Sequence, residues 1–247
     1  MTVLLLIDST LPGLAVGIAD GQTGALLSQA ISTPEQGSST RLSGLVRQVM
    51  AERQVNWQQV DGIVLGTGPG SFTGIRMSLA YAYGVKLSIP KIKLAGVSSL
   101  VEMQGQRAGG SSFVLPGTRD QGFLVRRGSD NSAVPAKFFL GPDSDASNEP
   151  IFRSNDITLL APWPQFEARR DSPNTGQDHD SGLGANTPKA PRKLIKLYGA
   201  ELLGYSLKCL ANWGARQDWK KSSLDDYWPV ANYLRASTAE EKMNSST

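Results

Sequence analysis

The first 32 residues hold three strand-length apolar runs joined by connections too short for anything but turns. "VLLLID" (Val3–Asp8) is apolar on successive residues, the pattern of a strand buried on both faces. Pro12 and Gly13 break the chain before "LAVGIAD" (Leu14–Asp20), and Asp20–Gly21 is a hairpin signal before "GALLSQAIS". Strands joined this tightly must run antiparallel, because a parallel pair needs a crossover of a dozen residues or more. The pattern then changes period. "SSTRLSGLVRQVMAERQ" places Leu42, Leu45, Val46, Val49 and Met50 on one helical face, with Ser38, Ser39 or Thr40 as cap and Arg41, Arg47 and Arg53 turned away. A strand ("QVDGIVLG"), a glycine loop ("GTGPGSFTG"), a helix ("IRMSLAYAYGVKLS"), a strand ("KIKLAGV") and a short helix ("SSLVEMQ", capped by Ser98 or Ser99) complete the order βββαβαβα. This is the order of the ribonuclease-H-like, or actin-like, α/β fold and not of a doubly wound nucleotide fold.

After Gln106, "RAGGSS" reads as a linker. "SFVLPG", "GFLVRRG", "AKFFLG" and "ITLLAP" read as strands, residues 162–193 as a long polar loop, "KLYGAELLGYSLKCLANWG" as a helix and "LDDYWPVANYLRAS" as an extended tail. The expected division is an N-terminal lobe at 1–106, a second lobe at 107–235 and a flexible tail at 236–247, each lobe a mixed sheet flanked by helices. The sequence shows no internal repeat.

Composition narrows the chemistry. A net charge of +3 is too small to argue nucleic-acid binding by itself. One cysteine, Cys209, forbids an internal disulfide and fits a reducing compartment. The opening apolar run ends at Asp8 and no stretch approaches the roughly 20 apolar residues of a membrane span, so a cytoplasmic chain is expected. The single histidine, His179, lies in a polar stretch, which argues against Ser-His or Cys-His catalysis and against a zinc site.

The glycine loop is the main functional candidate. It lacks the lysine of a P-loop, and its spacing fails the G-x-G-x-x-G dinucleotide pattern at Ser71 and at Thr73. What remains, Gly68, Pro69, Gly70, Ser71, Phe72, Thr73, Gly74 and Arg76, is a strand-to-helix corner open to two readings. Free N–H groups and the helix dipole favour an anion, with Arg76 adding donors. Alternatively, glycines permit the backbone path and Ser71 or Thr73 caps the helix. In the helix that follows, small residues (Ser78, Ala80, Ala82, Gly84) interleave with Tyr81 and Tyr83, which suits either a core face or a partner helix. Asp8, Ser9 and Thr10 end the first strand where actin-like ATPases handle magnesium and phosphate; the same residues equally make an ordinary aspartate turn.

"LLLIDST", "GIVLGTGPGSFTGIRMSLAYAYGVKLSIP" and "LAGVSSL" together resemble the TsaB (YeaZ) family, densely over residues 3–103 and thinly beyond, through Asp120 and "WPVANYLRA". The resemblance implies an actin-like fold and a non-catalytic subunit in making N6-threonylcarbamoyladenosine at position 37 of tRNAs reading ANN codons. It implies a TsaD-like catalytic partner bound through Leu42, Leu45, Val46, Val49, Met50, Ser78, Tyr81 and Ala82, and a TsaE-like ATPase joining the pair. Contact with tRNA would come through the complex. A homodimer in the partner's absence, and a nucleotide at the subunit junction, stay open. No cofactor or metal of its own is implied, since the metal-binding histidine pair belongs to the catalytic subunit. Asp8, Ser9 and Thr10 would then be at most a vestigial phosphate site. Ser38 stands where the family often has histidine, and the stretch after Asp120 departs from the usual pattern. The competing reading is a self-sufficient actin-like ATPase or small-molecule kinase, using Asp8 with a second loop at Asp120.

Overall fold

A computed structural model describes residues 1–34, 40–106, 112–117, 121–127, 133–139, 157–162, 194–221, 224 and 227–231. The three-stranded meander is present: β1 (Val3–Asp8), β2 (Leu14–Asp20) and β3 (Leu26–Ser32) pair antiparallel, with Leu5 opposite Ile18 and Val16 opposite Ala30. On its other edge β1 pairs parallel with β4 (Gly62–Gly66), which pairs parallel with β5 (Lys93–Val97). The helices α1 (Leu42–Glu52), α2 (Phe72–Ser88) and α3 (Ser99–Gln106) come at the places expected for them.

The sheet order is β3-β2-β1-β4-β5. A second sheet holds β6 (Ser112–Pro116), β7 (Gln121–Arg127), β8 (Ala133–Phe139), β9 (Ile157–Leu159) and β10 (Leu194–Lys196) in the order β10-β9-β6-β7-β8. Read from its far end, it repeats the first: two antiparallel neighbours on one side of the central strand, two parallel neighbours on the other. The chain therefore has the actin-like architecture of two equivalent mixed sheets, a repeat of topology that its sequence does not display. Strand β10 escapes sequence reading, because three residues are too few to show a period.

The first sheet is covered on both faces, and its central strand divides its side chains accordingly. Val3, Leu5 and Ile7 face α1 and α2, where they meet Val46, Val49, Ile75 and Ala82. Leu4 and Leu6 face the opposite way, toward Leu202, Leu203, Leu207 and Leu210. Those leucines belong to α4 (Gly199–Ala215), a helix of the second half of the chain that packs back on the first sheet. Each such leucine, taken fully out of water, contributes about 1.5–3 kcal/mol before the cost of ordering is counted. The same apolar cluster runs on through Leu100 and Met103 to Phe113 and Leu115 of the second sheet, so the two sheets share one core.

Cys209 sits in this shared core, where burial in apolar surroundings pushes its thiol up to about 12. Folded protein is expected to leave Cys209 unalkylated by iodoacetamide at pH 8, while protein in urea reacts fully. Fast labelling of the native chain would show that α4 opens readily from the sheet.

Candidate functional site

The glycine loop is built against the turn after β1. The Ser71 N–H donates to the Thr10 carbonyl (2.8 Å). A Cβ on Gly70 would strike that carbonyl, and one on Gly74 would strike the Ser9 carbonyl, so neither position has room for a side chain. The Ser9 hydroxyl donates to the Gly74 carbonyl (2.7 Å) and lies 2.5 Å from the Ser78 hydroxyl. Ser71, and not Thr73, caps α2: its side chain accepts from the Gly74 N–H at 3.1 Å.

This geometry supports the reading of the loop as a shaped corner. An anion at a helix start needs free N–H donors. Here the Ser71, Gly74 and Ile75 N–H groups are already bonded, to the Thr10 carbonyl, the Ser71 hydroxyl and the Ser71 carbonyl. Arg76 does not reach into the loop; its guanidinium lies over the Phe72 ring, 4.2 Å from the centroid. Asp8, Ser9 and Thr10 are all buried; one Asp8 carboxylate oxygen accepts from the Thr10 N–H (2.9 Å) and hydroxyl (2.7 Å), and the other has no hydrogen-bond partner among the described residues. They form a turn that clasps the glycine loop and fixes where α2 leaves the sheet.

The helix residues expected to bind a partner divide in two. Leu42, Val46, Val49, Met50, Ser78 and Ala82 are buried in the chain itself, against β1, β2 and β4. They are corrected to core positions: the apolar stripe that the sequence displays is covered by the chain's own sheet. Leu45 and Tyr81 are half-buried and accessible. Burial raises the Tyr81 hydroxyl pKa, and the nearby Arg47 charge acts against that rise. The α1 cap also differs from expectation: Arg41 occupies the cap position without a side-chain capping bond, and Ser38 and Ser39 lie outside the described residues. Asp120, His179, residues 163–193 and the 236–247 tail also lie outside them.

The accessible surface of α2 has features that the sequence reading missed. A groove of about 480 Å³ runs beside it, lined by Trp57, Ala80, Tyr81, Gly84, Val85 and Ser88 among others. Trp57 is placed there by a 3₁₀ turn (Trp57–Gln59) held by a reciprocal capping box between Asn56 and Gln59, a signal legible as N-x-x-Q. On the far side of α2, residues 227–231 return as an extended strap. The Tyr83 hydroxyl donates to the Pro229 carbonyl, and the Trp228 ring stands edge-on to Tyr83 at 5.0 Å. Pro229 occupies space left free by Gly96, where a Cβ would come within 2.7 Å of it, and Ala231 packs on the apolar cluster beneath α2.

Comparison with known proteins places the chain. Uncharacterized protein Rv3421c of Mycobacterium tuberculosis is 30% identical over 203 residues, 80% of this chain and 92% of its own length. The Mycobacterium bovis protein Mb3455c matches to the same extent. The chain belongs to the family of these mycobacterial proteins. Residues 28–107 also match the family described as "TsaD: tRNA N6-adenosine threonylcarbamoyltransferase". Among solved structures, YeaZ from Pseudomonas aeruginosa superposes with a TM-score of 0.59 at 18% identity, covering 95% of this chain and 100% of that one. A P. aeruginosa protein described as similar to peptidase YEAZ does so with a TM-score of 0.61 at 19% identity and the same coverage. At these identities the likeness is one of fold. No described helix is long and apolar enough to cross a membrane.

Proposed function

We propose that this chain is a non-catalytic subunit of the machinery that makes N6-threonylcarbamoyladenosine at position 37 of tRNAs reading ANN codons, and that it binds and supports a TsaD-family catalytic chain. The observation that carries this reading is the TsaD-family match over 28–107, the segment from β3 to α3, within a chain that superposes on YeaZ over 95% of its length. A catalytic subunit of this class holds its metal with a histidine pair, and this sequence has one histidine. A TsaE-like ATPase and tRNA would join through the assembled pair.

The test is reconstitution with the TsaD-family and TsaE-family proteins of the same genome, tRNA, ATP, threonine, bicarbonate and the enzyme supplying threonylcarbamoyl-adenylate. The modified nucleoside is expected only when this chain is present, with the TsaD-family protein co-eluting with it. Modification that proceeds equally without the chain, or Mg-ATP turnover by the chain alone, would end the reading.

A further inference from the structure

We infer that the segment from Trp219 to Ala231 guards the outer edge of the first sheet and keeps a second copy of this chain from adding a strand beside β5.

The sheet ends at β5. An edge strand turns a row of N–H and C=O groups outward, and such a row templates pairing with another chain unless something blocks it. The Lys93 N–H donates to the Asp61 carbonyl (3.0 Å), and the Val97 carbonyl accepts from the Thr67 N–H (2.9 Å). Both bonds point inward, to β4 and the residues flanking it. By alternation Ala95 points inward too, and the backbone groups of Leu94 and Gly96 point outward.

The C-terminal segment passes along this edge from one face of the sheet to the other. It starts on the α4 face, where the Trp219 ring takes the space beside Gly62 and Leu224 packs on the cluster of Leu4 and Leu6. The Lys93 ammonium, at the start of β5, donates to the Lys221 carbonyl (2.8 Å). By Pro229 the chain is on the α2 face. Pro229 is seated at Gly96, near the end of β5, and Ala231 packs on the cluster of Leu94 and Ile75. A passage between faces that touches β5 at both ends goes round its outer side.

The chemistry of the segment is that of a guard and not of a sixth strand. Proline has no N–H to give to a ladder, and Pro229 stands level with Gly96, one of the two outward-facing residues. Lysine on an edge also opposes pairing, and Lys93 opens β5 with its ammonium on the guard itself. Among the described residues, no backbone bond joins the strap to Leu94 or Gly96. The segment covers the edge and leaves its hydrogen-bonding groups unused, so what it excludes is a chain able to use them. A second copy is such a chain, because its own β5 carries the same row.

The strap is held at α2 by the Tyr83 hydroxyl on the Pro229 carbonyl and by the Trp228 ring on Tyr83. The experiment loosens it there, with Trp228→Ala and separately with Tyr83→Phe. Amide hydrogen exchange at Leu94 and Gly96 is followed by NMR as protein concentration rises from about 10 µM to about 1 mM, with sedimentation velocity alongside. In the wild type the two amides are expected to exchange at a rate independent of concentration. In Trp228→Ala they are expected to slow at least about tenfold as the variant self-associates, because pairing across the edge protects them. Tyr83→Phe keeps the ring and is expected to do the same at higher concentration; it gives the answer if Trp228→Ala fails to fold. If the Leu94 and Gly96 amides of the folded variants do not slow, the guard is overturned, whether or not the variants stick together by other surfaces. If those of the wild type slow, the strap does not exclude a second copy and the inference fails. Neither failure touches the proposed function, which reconstitution decides.

Discussion

Replacing Gly74 with alanine is expected to destabilise the chain by about 3 kcal/mol or more, because the new methyl has no direction in which to move. Its neighbour would be the Ser9 carbonyl, a backbone atom held by the β1–β2 connection, and not the far end of a flexible side chain. Either α2 shifts away from the turn and gives up the Ser71-to-Thr10 and Ser9-to-Gly74 bonds, or the turn itself distorts. Gly84 is the control. It lies on the same helix with nothing within 4 Å of the added carbon, so Gly84→Ala should leave stability unchanged or raise it by up to about 1 kcal/mol. Urea melts of the two variants decide the matter. A loss below about 1 kcal/mol at Gly74 would mean that the loop is not the rigid clasp described.

Ala82→Asp is the second large effect, expected to cost about 4 kcal/mol or more, enough to unfold a chain of ordinary stability. Ala82 is fully buried beneath α2 among Val46, Ile75 and Leu79, where a carboxylate finds neither water nor a partner. Leu45→Asp, on the accessible side of α1, should cost about 1 kcal/mol. Circular dichroism and thermal melts of the two proteins separate these outcomes. A folded Ala82→Asp protein with a near-normal melting temperature would show that α2 lifts easily from the sheet. The contrast matters for any interaction study: loss of a partner by Ala82→Asp would report unfolding, whereas loss by a folded surface variant reports the interface.

The fold was largely legible because its signals are local. Continuous apolar strands, tight turns and a change of period at Leu42 lead directly to the β3-β2-β1-β4-β5 sheet. The site was less legible, for a physical reason visible at Val46 and Val49. A helical apolar stripe states that something covers it but not what, and here the cover is the chain's own β1 and β2. Leu203 and Leu207 of α4 show the same ambiguity, their cover lying almost two hundred residues upstream. Gly70 and Gly74 stated that something approaches the backbone closely; that it is another stretch of backbone and not a phosphate is tertiary information. The strap was read as an extended tail, but its seat was beyond reach because the receptor, Tyr83 with Gly96, is assembled from distant segments.

The return of α4 to the first sheet has a consequence for how the chain is born. Leu4, Leu6 and Val64 receive their lid only when α4 emerges, about a hundred residues after Gln106. At roughly 5–20 residues per second on a ribosome, half of the earliest sheet stays wet for roughly 5 to 20 s. During that interval the nascent polypeptide depends on a chaperone, or on the ribosome surface itself, to keep that underside from sticking to its neighbours.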